Sequence, residues 1–149
     1  MAGLVKVSEA VNLALHACLL LARSEGELVR TQDLSDRLGA SKAHLVKVLQ
    51  QLSRAGLLVS VRGPQGGTRL AHPASSMTLL SVYEAVDGPL LDTECLLASP
   101  ICDDGECCLM GGLLRQVNEA LRQRLSQTTL ASACGGGAPV TAPPSRECE

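Results

Sequence analysis

The chain has 149 residues, 46% of them hydrophobic, and a net charge of −2, enough for one domain with an appendage. No window carries the roughly 18 apolar residues a membrane span needs. The run from Val11 to Ala22 is broken by Asn12 and His16 and lacks a cationic lead and a cleavage site, so a signal peptide is not expected and the expected home is the cytoplasm.

The core must be of an unusual kind. There is no Phe or Trp, and Tyr83 is the sole aromatic, so Leu, Val and Ala do the packing, which suits helix-on-helix contacts. The small net charge hides a division. Residues 1–72 carry nine Lys/Arg against five Asp/Glu, a net of +4, and residues 73–149 carry four against ten, a net of −6. A cationic first half and an acidic second half fit a DNA-reading head joined to another kind of module.

In chain order, the first predicted element is a helix over residues 8–23, with Ser8 as N-cap, Glu9 in the first turn and an apolar stripe of Val11, Leu15, Cys18, Leu19 and Ala22. Thr31 is expected to cap a short second helix that turns Leu34 and Leu38 inward and ends at Gly39. Ser41 caps a third, whose buried face is Leu45, Val48, Leu49 and Leu52 and which Gly56 stops. The period then changes. Residues 57–62 read as a strand, Gly63-Pro64-Gln65-Gly66-Gly67 as a turn and Thr68-Arg69-Leu70 as a returning strand, a hairpin with a glycine-rich tip.

Thr78 caps a helix through Val86. Residues 89–107 are irregular and acidic. A long helix from about Leu109 to Gln127 repeats Leu113, Val117, Leu121 and Leu125 at i+4. Left uncovered, that stripe is an apolar liability, so a dimer through it is expected. Beyond Cys134, three glycines and three prolines mark a tail. The expected architecture is mainly α with a small β-hairpin: a winged helix-turn-helix head over 1–88, a cysteine loop over 89–108, a dimerisation helix over 109–131 and a disordered tail over 132–149.

The order helix, short helix, glycine turn, helix, hairpin is that of a DNA reader. An α-helix fits the major groove and meets base edges with its N-terminal residues, here Ser41, Lys42, Ala43 and His44, with Lys47 one turn on. Ser41 at the helix N-terminus can hold a phosphate. Gly66 and Gly67 let backbone approach DNA, while Arg62 and Arg69 bring charge to the narrow minor groove. A two-fold dimer demands palindromic double-stranded sites.

Seven cysteines are an odd count, which closes no disulfide framework. Cys95, Cys102, Cys107 and Cys108 fall within fourteen residues, a clustering that in a reducing compartment points to metal or redox chemistry. Thiolates are the usual ligands of iron–sulfur clusters, and the spacing lacks the paired C-x-x-C knuckles of a zinc ribbon. Spacing leaves cluster, zinc and thiol switch open. Cys18, on the apolar face of its helix, reads as a small buried hydrophobe, and Cys134 and Cys148 fall in or beside the tail.

Taken together, these segments resemble the winged-helix iron–sulfur transcriptional regulators that include IscR, NsrR and RirA. The resemblance runs from about Leu4 to Ala131 and rests on the wing segment from Val61 to Leu70, on Ser41-Lys42-Ala43-His44-Leu45-Val46-Lys47-Val48, and on Cys95…Cys102…Cys108-Leu109 leading into the long helix. It implies a homodimer through that helix and a cluster, [2Fe-2S] or [4Fe-4S], on Cys95, Cys102 and Cys108 with Cys107 spare. It implies promoter binding, as a repressor, that reports iron–sulfur status, nitric oxide or redox state.

Two positions depart from the family. Gly111 stands where IscR-like members carry a ligating histidine, and Asn12 where NsrR-like members carry an acidic ligand from the partner subunit. Glu9, Asn12 and His16 share one helical face. His16 is the best remaining donor by chemistry, on a helix where an unpaired imidazole would be costly. It is the expected fourth ligand. The alternative is a cluster-free regulator of the same fold, acting through thiol redox, zinc or protein contacts. An enzyme is disfavoured: no nucleophile–base pair, phosphate loop or H-E-x-x-H appears.

Overall fold

A computed structural model describes residues 7–90 and 112–135. Cys95, Cys102, Cys107, Cys108, Gly111 and Cys148, with the first residues expected in the long helix, lie outside the described residues. The element order is α1 (Glu9–Ala22), α2 (Thr31–Leu38), α3 (Lys42–Arg54), β1 (Leu58–Val61), β2 (Gly67–Leu70), α4 (Leu79–Asp87), α5 (Leu113–Gln127) and α6 (Leu130–Cys134). This is the expected winged-helix plan, mainly helical with one antiparallel hairpin.

The caps explain where several helices begin. Ser8 accepts from the Val11 amide at 3.1 Å, and its hydroxyl donates to Asp87 at the end of α4 (2.9 Å). Thr78 accepts from the Ser81 amide at 3.2 Å. Two expected caps differ. Thr31 is the first residue inside α2, with Arg30 at the cap position, and neither Arg30 nor Ser41 makes a side-chain capping bond. Their backbones are extended there, so the chain enters both helices without a side-chain acceptor over the first turn. Gly39 ends α2 in the left-handed region (φ 59°), as expected.

The core contains the predicted buried face of α3, whereas that of α1 differs from the expected stripe. Ala14, Ala17, Cys18 and Leu21 of α1, Leu34 of α2, Leu45, Val48, Leu49 and Leu52 of α3, Leu58 of β1 and Val82 of α4 form one buried cluster. Leu15, Leu19 and Ala22 sit at its margin, so the buried stripe of α1 is rotated toward Ala14, Ala17 and Leu21. Cys18 is fully buried, and burial pushes its thiol up to about 12. It is an inert hydrophobe.

The hairpin pairs Leu58 with Leu70, Val59 with Arg69, Ser60 with Thr68 and Val61 with Gly67. Val29, just before α2, pairs with Thr68 through two backbone hydrogen bonds of 2.8 and 3.0 Å, so the wing is fastened to the helix-turn-helix. The glycines of the wing serve this packing. A Cβ on Gly66 would lie 2.1 Å from the Val61 carbonyl oxygen, and one on Gly67 would lie 2.7 Å from the Val29 carbonyl oxygen, contacts that backbone cannot relieve.

The C-terminal end corrects the expected boundaries. The long helix ends at Gln127, as expected, and Thr128 is extended, so the dimerisation segment assigned to 109–131 is not one continuous helix. The backbone there turns the chain back onto the head: Leu79 N donates to Thr128 O (2.9 Å), Leu130 N to Met77 O (2.8 Å) and Ala131 N to Ala74 O (3.0 Å). Thr129 and Ser132 form a reciprocal capping box that starts α6, and Leu130 is fully buried in the head's core. Residues 132–134, expected in a disordered tail, are therefore helical. The Cys134 thiol donates to the Leu19 carbonyl of α1 at 3.5 Å. Arg122 of α5 also donates to the Leu90 carbonyl. The α5 stripe is covered unevenly: Leu125 is buried, Val117 and Leu121 are half-buried, and Leu113 is exposed.

Candidate nucleic-acid interface

One wall of the head is a cleft of about 690 Å³ between α3, the start of α2 and the wing. Four cationic residues line it: Arg30 before α2, Lys42 and Arg54 at the two ends of α3, and Arg62 at the wing. None of the described residues lining it is acidic. Four positive groups around one concavity focus a field that attracts phosphate. Lys42, Val46, Gln50 and Arg54 recur at i+4, so the helix itself presents them as a row along the cleft. Arg30 bridges its two walls, its guanidinium donating to the Pro64 carbonyl at the wing tip (3.5 Å).

The hairpin's pleat decides which wing residues join that row. Ser60 and Thr68 face one another across the strands (3.3 Å), and Ser53 of α3 contacts Ser60 at the same distance. That face of the hairpin lines the cleft. Arg69 is one residue out of phase, so it is exposed on the other face and does not line the cleft.

The expected base-contacting residues separate into groups. Lys42, Arg62, Gly66 and Gly67 line the cleft. Ser41, Ala43 and Lys47 are exposed on α3 beyond its wall. His44 turns the other way: its Nδ1 lies 3.7 Å from the Glu9 carboxylate of α1. Arg30, Gln50 and Arg54 escape a reading confined to the first turn of α3. The i+4 spacing from Lys42 is the signal that finds the last two.

His16 is exposed on α1, and its Nδ1 bonds the Asn12 carbonyl oxygen at 2.8 Å. The expected cost of an unpaired imidazole on an apolar helix therefore does not arise, because solvent and a backbone partner satisfy the ring. Among the described residues no helix is long and apolar enough to cross a membrane.

Comparison with known proteins agrees with this geometry. Residues 7–135 match the family model Rrf2, described as an iron-dependent transcriptional regulator. The chain is 32% identical over 127 residues to protein aau3 of Rhizobium meliloti (strain 1021), covering 85% of this chain and 82% of that one. Among solved structures it is similar to CymR, the global cysteine regulator of B. subtilis (TM-score 0.74, 22% identity, 89% of this chain and 98% of that one). It is likewise similar to T. potens IscR (TM-score 0.68, 26% identity, 88% and 87%). A match over residues 7–135 settles the assignment: the chain belongs to the Rrf2 family of winged-helix, DNA-binding transcriptional regulators.

Proposed function

We propose that this protein is a cytoplasmic homodimeric repressor whose binding to palindromic promoter DNA is governed by an iron–sulfur cluster on Cys95, Cys102 and Cys108. The observation that carries the DNA part is the acid-free cleft lined by Arg30, Lys42, Arg54 and Arg62. The row on α3 enters the major groove, with Ser41, Ala43 and Lys47 beside it, and Arg62 and Arg69 straddle the adjacent backbone. The α2 and α3 N-termini, which lack side-chain caps, leave amide donors to phosphate.

The donor set supports the cluster: three thiols spaced seven and six positions apart suit an iron–sulfur centre of either [2Fe-2S] or [4Fe-4S] type. Bound, such a centre supplies a group reactive toward oxygen and nitric oxide. The fourth ligand in this reading is His16 from the partner subunit. A ligating histidine usually donates its other ring N–H to a carbonyl, which fixes the tautomer. The bond from His16 Nδ1 to Asn12 O leaves Nε2 as the outward donor atom.

The test is protein purified without oxygen, with iron and sulfide analysis and a visible spectrum for wild type and for alanine variants at each cysteine and at His16. Loss of iron in the Cys95, Cys102 and Cys108 variants, retention in Cys107→Ala, and an altered spectrum in His16→Ala are the expected results. Wild type without sulfide would point instead to the cluster-free reading.

A further inference from the structure

The third residue of the recognition helix does not do what its position suggests. His44 lies between Lys42 and Val46, both of which line the cleft, yet it is absent from that lining. Its imidazole is turned back across the helix, with Nδ1 3.7 Å from a carboxylate oxygen of Glu9. That separation exceeds a hydrogen bond, so the contact is an ion pair when the imidazole is protonated.

Glu9 opens the first turn of α1, and this turn is tied a second time. Ser8 beside it caps α1 and donates to Asp87 at the end of α4 (2.9 Å). α4 in turn packs on α5, the helix that bears the partly uncovered stripe. The first turn of α1 thus stands between the recognition helix on one side and the α4–α5 layer on the other.

We infer that Glu9 and His44 form a brace that sets the angle of the recognition helix, and that His44 is a positioning residue for sequence selectivity rather than a reader of a base edge. This rests on the DNA-binding reading above. Selective binding needs both recognition helices at one angle and spacing, whereas non-selective binding needs only cationic charge near phosphate. The brace therefore acts on the first alone. Glu9 also has a second effect, since a carboxylate beside the DNA-facing helix opposes phosphate from any sequence.

The experiment uses the full-length chain. Wild type enriches duplexes from a randomised library of about 30 base pairs, long enough for two half-sites. Affinity is then measured for one enriched duplex and for its scrambled counterpart, with wild type, Glu9→Gln, His44→Ala, His44→Gln and the Glu9→Gln/His44→Ala double variant.

Each of Glu9→Gln and His44→Ala should lower the ratio of selective to non-selective affinity about threefold, the scale of an exposed ion pair. The double variant should lose no more than either single one. His44→Gln, which carries no charge, should lower the ratio as His44→Ala does. Glu9→Gln should leave scrambled-duplex affinity equal or higher, which a folding defect would not do. In a repeat of the selection, His44→Ala should weaken preference across the whole half-site.

Loss of preference at a single base pair in His44→Ala, with Glu9→Gln unchanged, would make His44 a base reader and overturn the brace. Additive losses in the double variant would also overturn it. If wild type enriches no duplex, the DNA-binding reading fails and the brace falls with it.

Discussion

Helices α3 and α5 carry the same kind of apolar repeat and meet different fates. In α3, Leu45, Val48, Leu49 and Leu52 are all buried within the chain. In α5, the stripe runs from buried Leu125 (9% exposed) through half-buried Leu121 and Val117 to Leu113 (42% exposed). The difference lies in the elements laid over each helix. α3 is overlaid by α1 and by a wing held to Val29, whereas among the described residues it is the C-terminal end of α5 that is drawn onto the head, by the return of residues 128–131 and the burial of Leu130. Periodicity reports that a face is apolar, and the tertiary layout determines whether the chain itself covers it. In the proposed homodimer, the exposed end of α5 is the surface offered to a second copy.

Breaking each stripe separately tests that contrast. Leu52→Ala should cost about 2–5 kcal/mol in urea unfolding, as for a fully buried leucine. Leu113→Ala should change stability by less than about 0.5 kcal/mol, and a comparable loss at Leu113 would mean that the chain covers α5 after all. Gly66→Ala comes next. Its Cβ collides with the Val61 carbonyl, and overpacking of that kind costs about 1–3 kcal/mol; the effect should appear as hairpin loosening in amide exchange, with the α1–α3 core still protected.

Val117→Glu places a charge on the half-covered stripe. It should weaken self-association by at least about tenfold in sedimentation, with the unfolding of the head little altered. The smallest effect concerns pH. Cys18 is pushed up to about 12 by burial, so the folded state holds a proton that the unfolded chain releases above the ordinary thiol range. Stability should fall as pH rises from that range toward 12. Cys18→Ala should flatten this slope, and an unchanged slope would assign it to other groups.

Much of this is legible in the sequence because it is local. Caps at Ser8 and Thr78, the stop at Gly39 and the change from helical to strand period at Leu57 fix five elements with little reference to the rest. Two features are not legible, because they depend on distant partners. Gly66 and Gly67 look like a loose tip until Val61 and Val29 are seen against them. Residues 128–134 read as the close of the dimerisation segment and the start of a tail until Met77 and Ala74 are seen to accept the Leu130 and Ala131 amides. The interface is half visible for a related reason. Helical spacing from Lys42 points to Gln50 and Arg54, but that Arg30 completes the cleft, and that His44 leaves it, depends on where α1 and the wing lie.

The central claim is that the cleft between α3 and the wing holds DNA, once per subunit of a dimer. The salt dependence of binding to one enriched duplex tests it most directly, comparing wild type with an Arg30→Ala/Arg54→Ala/Arg62→Ala variant. Removing three phosphate-binding cations from each of two subunits should make the slope of log affinity against log salt shallower by about five. An unchanged slope, with affinity retained, would place the DNA on another face of the molecule.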